Sequence, residues 1–217
     1  MIIHNFELSN SVLNNFIAEI RDFNIQKDAM RFRRNIERIG EILSYELSKE
    51  LNYRQVEVTT PLGKKNIQTA LVDELVLCSV LRAGLPLHQG ILNYFDHVEN
   101  AFISAYRHHT SDEAFDIKVE YLAAPSLDQK ILILADPMLA TGSSLVAVYE
   151  TLKKLGDIKQ IHLVCVIAAA EGIEFIKNHF PENTCLWVAT IDKQLNEKGY
   201  IVPGLGDAGD LAFGEKL

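Results

Sequence analysis

Hydrophobic positions along the chain follow two rhythms. From Lys27 to Leu51, Met30, Ile36, Ile39, Ile42, Leu43 and Leu47 recur at helical spacing, with Arg31, Arg33, Arg34, Glu37, Arg38, Glu41 and Glu46 between them. That period predicts an amphipathic helix, and its arginines read as a solvated face or, alternatively, as an oligomer contact or anion site. After Gln55, Val56 to Gly63 alternates and is then broken by Pro61 and Gly63, which predicts a strand and turn in a projecting arm. From Leu75 onward the pattern changes to short apolar runs. Leu75–Leu81, Ala101–Tyr106, Ile117–Leu122, Ile131–Ala135, Ile161–Ala168 and Leu186–Ile191 are expected strands. Helices are expected near Pro86–Tyr94, Ser144–Leu155 and Glu171–Asn178. Met1 to Gln26 carries no motif that can be read.

Nearly continuous apolar strands alternating with helices are strands covered on both faces. The expected fold class is therefore α/β, with a mostly parallel central sheet and flanking helices. The organisation reads as a single domain over 1–217: a helix and arm at 27–70, an α/β core at 75–191, and a C-terminal segment at 192–217. Such sheets bind ligands where strands end and loops enter helices. At those ends stand Arg82-Ala83-Gly84, Tyr106-Arg107 and the loop Asp136-Pro137-Met138-Leu139-Ala140-Thr141-Gly142-Ser143-Ser144.

Composition narrows the partners. Twenty-nine acidic residues against twenty-one basic ones leave a net charge of −8, which argues against a broad nucleic-acid or membrane footprint. A small anion is still accessible to local arginines and backbone amides. Cys78, Cys165 and Cys185 lie in apolar runs, so they are expected to be buried and reduced, as in a cytoplasmic protein. Asn5, Glu7, Ser9 and Asn10 interrupt the early apolar residues, unlike a signal peptide. No stretch reaches the roughly 18 apolar residues of a membrane span.

The loop from Asp136 leaves an apolar strand and ends where a helix begins. A helix N-terminus offers unpaired amides and the positive end of the peptide dipoles. Gly142 allows those amides to converge on one anion, and Thr141, Ser143 and Ser144 add hydroxyls. The alternative is that a serine merely caps the helix. Walker A spacing is missing, and no Gly-x-Gly-x-x-Gly directly follows an expected strand, which argues against the common nucleotide triphosphatase and dinucleotide loops.

Ile131 to Ser144 resembles the phosphoribosyl pyrophosphate motif of type I phosphoribosyltransferases. Its Asp-Pro-Met-Leu-Ala-Thr-Gly form resembles the uracil phosphoribosyltransferase family in particular. Gly199-Tyr200-Ile201-Val202-Pro203-Gly204-Leu205-Gly206-Asp207-Ala208-Gly209-Asp210 is similar to that family's uracil-binding segment, and Leu81 to Leu85, Tyr106-Arg107 and Asp192 to Asn196 match in order. The resemblance covers nearly all of the chain beyond Lys27. It implies transfer of a phosphoribosyl group to uracil, giving UMP and pyrophosphate, with Mg2+ held mainly by the substrate and not by a protein cage.

The resemblance also assigns roles. Arg82 and Arg107 would contact the pyrophosphate, an ordinary ion pair being the alternative for each. Asp136 would face the ribose hydroxyls, and Ala140 to Ser144 would cradle the 5′-phosphate. Ile201, Gly206 and Ala208 would bind uracil largely through backbone atoms. Asp207 would lie near the ribose or a magnesium-bound water, giving Arg82, Arg107, Asp136 and Asp207 as the catalytic set. The C-terminal segment, bent by its glycines, is expected to be an exposed hood that is neither helical nor stranded. His108 to Phe115 is expected to close over the donor, with His108 and His109 as loop residues rather than metal ligands. A homo-oligomer, dimer or higher, is expected through the first helix and the arm. Two other readings stay open: an RNA-binding regulator on the same fold, and an enzyme for another base. One departure stands out, because Ser143 occupies a position where the family usually has glycine. A left-handed backbone there would cost serine about 1–2 kcal/mol.

Overall fold

The computed structural model describes residues 1–109 and 115–216; at Ala70, 106–109 and 115–118 it describes the backbone alone. In chain order the elements are β1 (Ile2–Asn5), α1 (Leu13–Arg21), α2 (Ala29–Ser48), β2 (Tyr53–Thr60), β3 (Gly63–Leu71) and β4 (Leu75–Leu81). Then come α3 (Gly84–Leu92), β5 (Glu99–His109), β6 (Phe115–Ala123), β7 (Ile131–Ala135), β8 (Met138–Leu139) and α4 (Ser143–Leu152). The chain closes with β9 (Gln160–Ala169), α5 (Ala170–Lys177), β10 (Cys185–Asp192), β11 (Gln194–Leu195), β12 (Ile201–Val202) and α6 (Ala208–Phe213).

The main sheet runs β1-β10-β9-β7-β4-β5-β6, with β8 beside the end of β9. Its pairings are parallel except β5 with β6, which is antiparallel. This is the α/β class that the apolar runs predict. Alternation along each strand divides the core into two layers. Leu75, Leu77, Ile131, Ile133, Val164, Val166, Trp187 and Ala189 pack with α1, α2 and α3 on one face. Val76, Cys78, Leu132, Leu134, Leu163, Cys165, Leu186 and Val188 pack with α4 and α5 on the other. Both faces of every central strand are therefore dry, which is why these strands read as unbroken apolar runs.

The arm is as expected. β2 and β3 form their own antiparallel hairpin, joined to no strand of the main sheet, and Leu62 at its tip is fully exposed. One expectation needs correction. Met30 belongs to the predicted stripe of α2 but is 63% exposed, whereas Phe32, at 1%, takes its place in the core. Asp28 caps α2 through Arg31 N–H, and the face that this start sets inward comprises Phe32, Ile36, Ile39, Gly40, Leu43 and Leu47. Met1–Gln26, from which no motif could be read, is structured. β1 adds a strand to β10, and Leu13, Ile17 and Ile20 bury one face of α1.

The packing yields a sharp contrast within one helix. Ile39 is fully buried on α2, so Ile39→Ala is expected to cost about 2–5 kcal/mol of unfolding free energy. Met30→Ala is expected to stay within about 0.5 kcal/mol. Urea unfolding of both variants measures this, and equal losses would mean that the burial assigned to α2 is wrong.

Candidate active site

Because the central strands are parallel, their carboxyl ends share one edge. Leu81 ends β4, Ala135 ends β7, Ala169 ends β9 and Asp192 ends β10. The register sets Ser79 opposite Ala135 and Asp192 opposite Ala169. The three candidate stretches at strand ends are thus neighbours in space. A cavity of about 670 Å³ lies at the opposite edge, among Asp73, Leu75, Val98, Glu99 and Lys130, and none of the candidate residues lines it.

The loop from Asp136 is held by backbone before any side chain contributes. Asp136 N–H donates to Val164 O at 3.1 Å, and the Pro137 carbonyl accepts from Val166 N–H and Ile167 N–H at 3.0 and 2.9 Å. Met138 and Leu139 are not loop but the short strand β8, paired with Ile167 and Ala168. Gly142 then turns with φ +83° as the residue capping α4, where a Cβ would stand 2.8 Å from Ile176 Cγ2. Only glycine meets both the dihedral and the close approach of α5. The positive φ falls on Gly142 and not on Ser143, which is the first residue of α4. Serine at 143 is therefore unstrained. Its Oγ accepts from Thr141 Oγ1 at 3.2 Å, while Ser143 N–H donates to that threonine oxygen at 3.4 Å. Neither serine side chain caps the helix. Hydroxyls and first-turn amides of α4 are gathered at one N-terminus, the arrangement that holds a phosphate.

Asp136, like Thr141, Ser143 and Ser144, is half-buried. Its Oδ1 accepts Met138 N–H at 3.2 Å, and burial pushes its carboxyl from the ordinary 3.8 up to about 6, the bond from Met138 opposing only in part. A cavity of about 460 Å³ adjoins the loop at Thr141, bounded by Glu171 and Leu195 to Gly199.

The C-terminal segment departs from expectation. It is not an irregular exposed strap. Ile201–Val202 pairs with Gln194–Leu195, and Ala208–Phe213 is the helix α6. Ile201, Leu205 and Ala208 are buried in the core layer that contains α2, so their side chains anchor the segment. Gly204 turns with φ +62°, where a Cβ would stand 2.1 Å from the Ile201 carbonyl oxygen. Gly206 is exposed. Asp207 caps α6, its Oδ1 accepting Gly209 N–H at 2.8 Å and Asp210 N–H at 3.0 Å.

Arg82 connects the two halves. Its Nη2 donates to Asp210 Oδ1 at 3.1 Å and to Gly214 O at 3.0 Å, while its buried Nε has no hydrogen-bond partner. The side chain is 37% exposed, so the pair with Asp210 is a weak, solvated contact. Arg82 thus makes the ion pair that was the alternative reading, with the C-terminal segment as its partner. Arg107 lies on β5 opposite Ile117, and its side chain is outside the described residues. His108 and His109 also end β5, while 110–114 of the expected closing segment fall outside the described residues. The arginines of α2 are engaged within the chain. Arg31 pairs with Glu19, Arg34 with Glu37, and Arg33 Nη1 donates to Ala212 O at 2.6 Å, holding α6 against α2. Burial pushes the thiol of Cys78 up to about 12 and raises those of Cys165 and Cys185, so none is a thiolate nucleophile.

What sequence reasoning missed lies before Lys27. Arg21 forks onto Asp192 at 2.8 and 2.9 Å, and Glu7 accepts Ile191 N–H at 3.1 Å. A usable signal was present, since Leu13, Ile17 and Ile20 recur at helical spacing and leave Arg21 at the end of that helix.

Comparison with known proteins gives consistent findings. The family model described as uracil phosphoribosyltransferase matches residues 7–215. A uracil phosphoribosyltransferase of Porphyromonas gingivalis is 52% identical over 207 residues, covering 95% of each chain. Among solved structures, the AQ2163 protein of Aquifex aeolicus is 30% identical, covers 100% of both chains and superposes with a TM-score of 0.87. A hypoxanthine phosphoribosyltransferase of Staphylococcus aureus shares the fold at 16% identity and a TM-score of 0.52, covering 86% of this chain and 83% of that one.

The raised carboxyl of Asp136 has a signed consequence. In the unfolded chain it ionises near 3.8, and in the folded protein near 6. Between those values the folded state holds the extra proton, so this group removes stability as pH rises through the window. Asp136→Asn is expected to be more stable than the parent above pH 6 by about 2 kcal/mol, with the gap closing toward pH 4. Urea unfolding at pH 4.5, 6 and 8 follows it. A variant less stable than the parent at pH 8 would contradict the assigned burial.

Proposed function

The chain belongs to the uracil phosphoribosyltransferase family, and from that membership we propose that it transfers the 5-phosphoribosyl group of phosphoribosyl pyrophosphate to uracil, giving UMP and pyrophosphate in pyrimidine salvage. The observation that carries the reading is the contact of Arg82 with Asp210 and Gly214, which joins a strand end on the donor side to the C-terminal segment. On this reading the donor loop and the base segment would border one space, as a reaction between two bound substrates requires.

In the proposed reaction the bond from C1′ to the pyrophosphate oxygen breaks, a bond from C1′ to uracil N1 forms, and the N1 proton is released. Pyrophosphate leaves with high negative charge, so charge stabilisation dominates over proton abstraction. First-turn amides of α4, with the hydroxyls of Thr141, Ser143 and Ser144, would take the 5′-phosphate. Asp136, ionised for the most part at neutral pH, would accept hydrogen bonds from the ribose hydroxyls as positive charge grows on the sugar. Arg82 would exchange the weak pair with Asp210 for the pyrophosphate, and its unpartnered buried Nε supports a second ligand for this guanidinium. Arg107, at the end of the neighbouring strand, would meet the same group. Backbone groups of Ile201, Gly206 and Ala208 would read the donor–acceptor edge of uracil, so cytosine would leave buried groups unpaired.

Asp207 and Asp210 supply carboxylate oxygens beside this space, and hard oxygen donors suit magnesium. Held mainly by the substrate, magnesium would neutralise pyrophosphate oxygens, with Asp207 near the ribose or a magnesium-bound water. The reading extends to a cytoplasmic homo-oligomer, dimer or higher. The three free, buried thiols support a reducing compartment, and the projecting hairpin offers a contact surface.

A panel of uracil, cytosine, hypoxanthine and orotate with labelled phosphoribosyl pyrophosphate tests the proposal. Uracil is expected to be converted to UMP at least about 100-fold faster than the other three. Faster turnover of any other base, or none with uracil, would overturn it.

A further inference from the structure

The base-binding segment is held in place by the first 26 residues of the chain. Arg21, the last residue of α1, sends Nη1 to Asp192 Oδ2 at 2.8 Å and Nη2 to Asp192 Oδ1 at 2.9 Å. The same guanidinium donates to Gly204 O at 3.2 Å and to Thr190 Oγ1 at 2.9 Å. Asp192 Oδ2 in turn accepts Gly204 N–H at 2.9 Å. Both backbone polar groups of Gly204 are therefore fixed by one ion pair. One residue further, Leu205 O accepts from Gln26 Nε2 at 3.2 Å, and that amide also bonds Ile20 O at 2.9 Å. Below the pair, the hydroxyl of Thr190 donates to Glu7.

These contacts have a direction. Asp192 ends β10, a rigid central strand, and Gly204-Leu205 immediately precedes Gly206-Asp207-Ala208. A planar, bidentate pair between two groups only 21% and 10% exposed transmits orientation better than a solvated one. We infer that Arg21 is a positioning residue for base recognition: through Asp192 it sets the Gly204 turn, and with Gln26 it holds the backbone of residues 206–208 at the angle that reads the pyrimidine edge. The inference rests on the proposed uracil transfer. It gives the N-terminal segment a role in specificity, and it separates that role from the donor loop, which Arg21 does not touch among the described contacts.

Steady-state kinetics on Arg21→Ala, Arg21→Lys and Gln26→Ala test it, with uracil and donor varied separately and melting temperature recorded. Arg21→Ala should raise KM for uracil about 10-fold or more and leave KM for the donor within about twofold. Arg21→Lys, which keeps the charge but not the fork, should recover part of the loss. Gln26→Ala should show the same split at about threefold, so the test survives even if Arg21→Ala fails to fold. Turnover of cytosine relative to uracil should rise in all three. Equal rises in both KM values, or an unchanged uracil KM in the folded variants, would overturn the role of Arg21 while leaving uracil transfer intact. No uracil turnover by the unsubstituted chain would remove both.

Discussion

Ser79 lies opposite Ala135 across the β4–β7 pair, and Ala135 lies opposite Val164 across β7–β9. The rest of the molecule depends on this parallel register. A slip of one residue along any of these strands would exchange its two side-chain faces. Ile133 and Leu134 belong to different core layers, so a slip would turn each toward the wrong set of helices. Burial on both faces thus locks the strands lengthwise, and because they run in one direction, all their carboxyl ends are locked to one edge. Asp136 leaves β7 there, Arg82 leaves β4, and Asp192 ends β10. The chemistry of the edge follows from a constraint that is itself purely apolar.

Two different devices finish the site on that edge. The proposed donor side is built from backbone: Pro137 O bridges two amides of β9, and Gly142 supplies the dihedral that starts α4. The base side is built from burial and a single ion pair. Leu205 and Ala208 sink into the α2 layer, while both backbone polar groups of Gly204 and the carbonyl of Leu205 are held by Asp192, Arg21 and Gln26. Buried peptide groups are costly without partners, so a turn at this depth needs such a framework. Arg82 reaches the C-terminal segment only through a weak, solvated contact with Asp210.

The sequence carried most of this, unevenly and for physical reasons. The central strands were legible because strands dry on both faces are continuous in apolar residues, and the loop after β7 because its residues are packed into one short stretch. Met30 was misplaced because periodicity alone does not say where a helix begins; the cap at Asp28 sets the face, and Phe32 takes the inner position. The C-terminal segment read as irregular because glycines at 199, 204, 206 and 209 suggest no regular element, yet Asp207 nucleates α6 from its own side chain. The helix ending at Arg21 was legible, but the partner of Arg21 was not, because it is 171 residues away. A charge at the end of a short helix has no local signature of what it will meet.

The central claim is that one sheet edge holds both halves of a single pocket, and amide hydrogen exchange with bound product tests it most directly. UMP carries the phosphate and the base in one molecule. Added to the protein, it should slow exchange both in Thr141 to Ser144 and in Gly206 to Asp210, whereas ribose 5-phosphate should slow only the first group. Protection by UMP confined to either stretch alone would contradict a shared pocket.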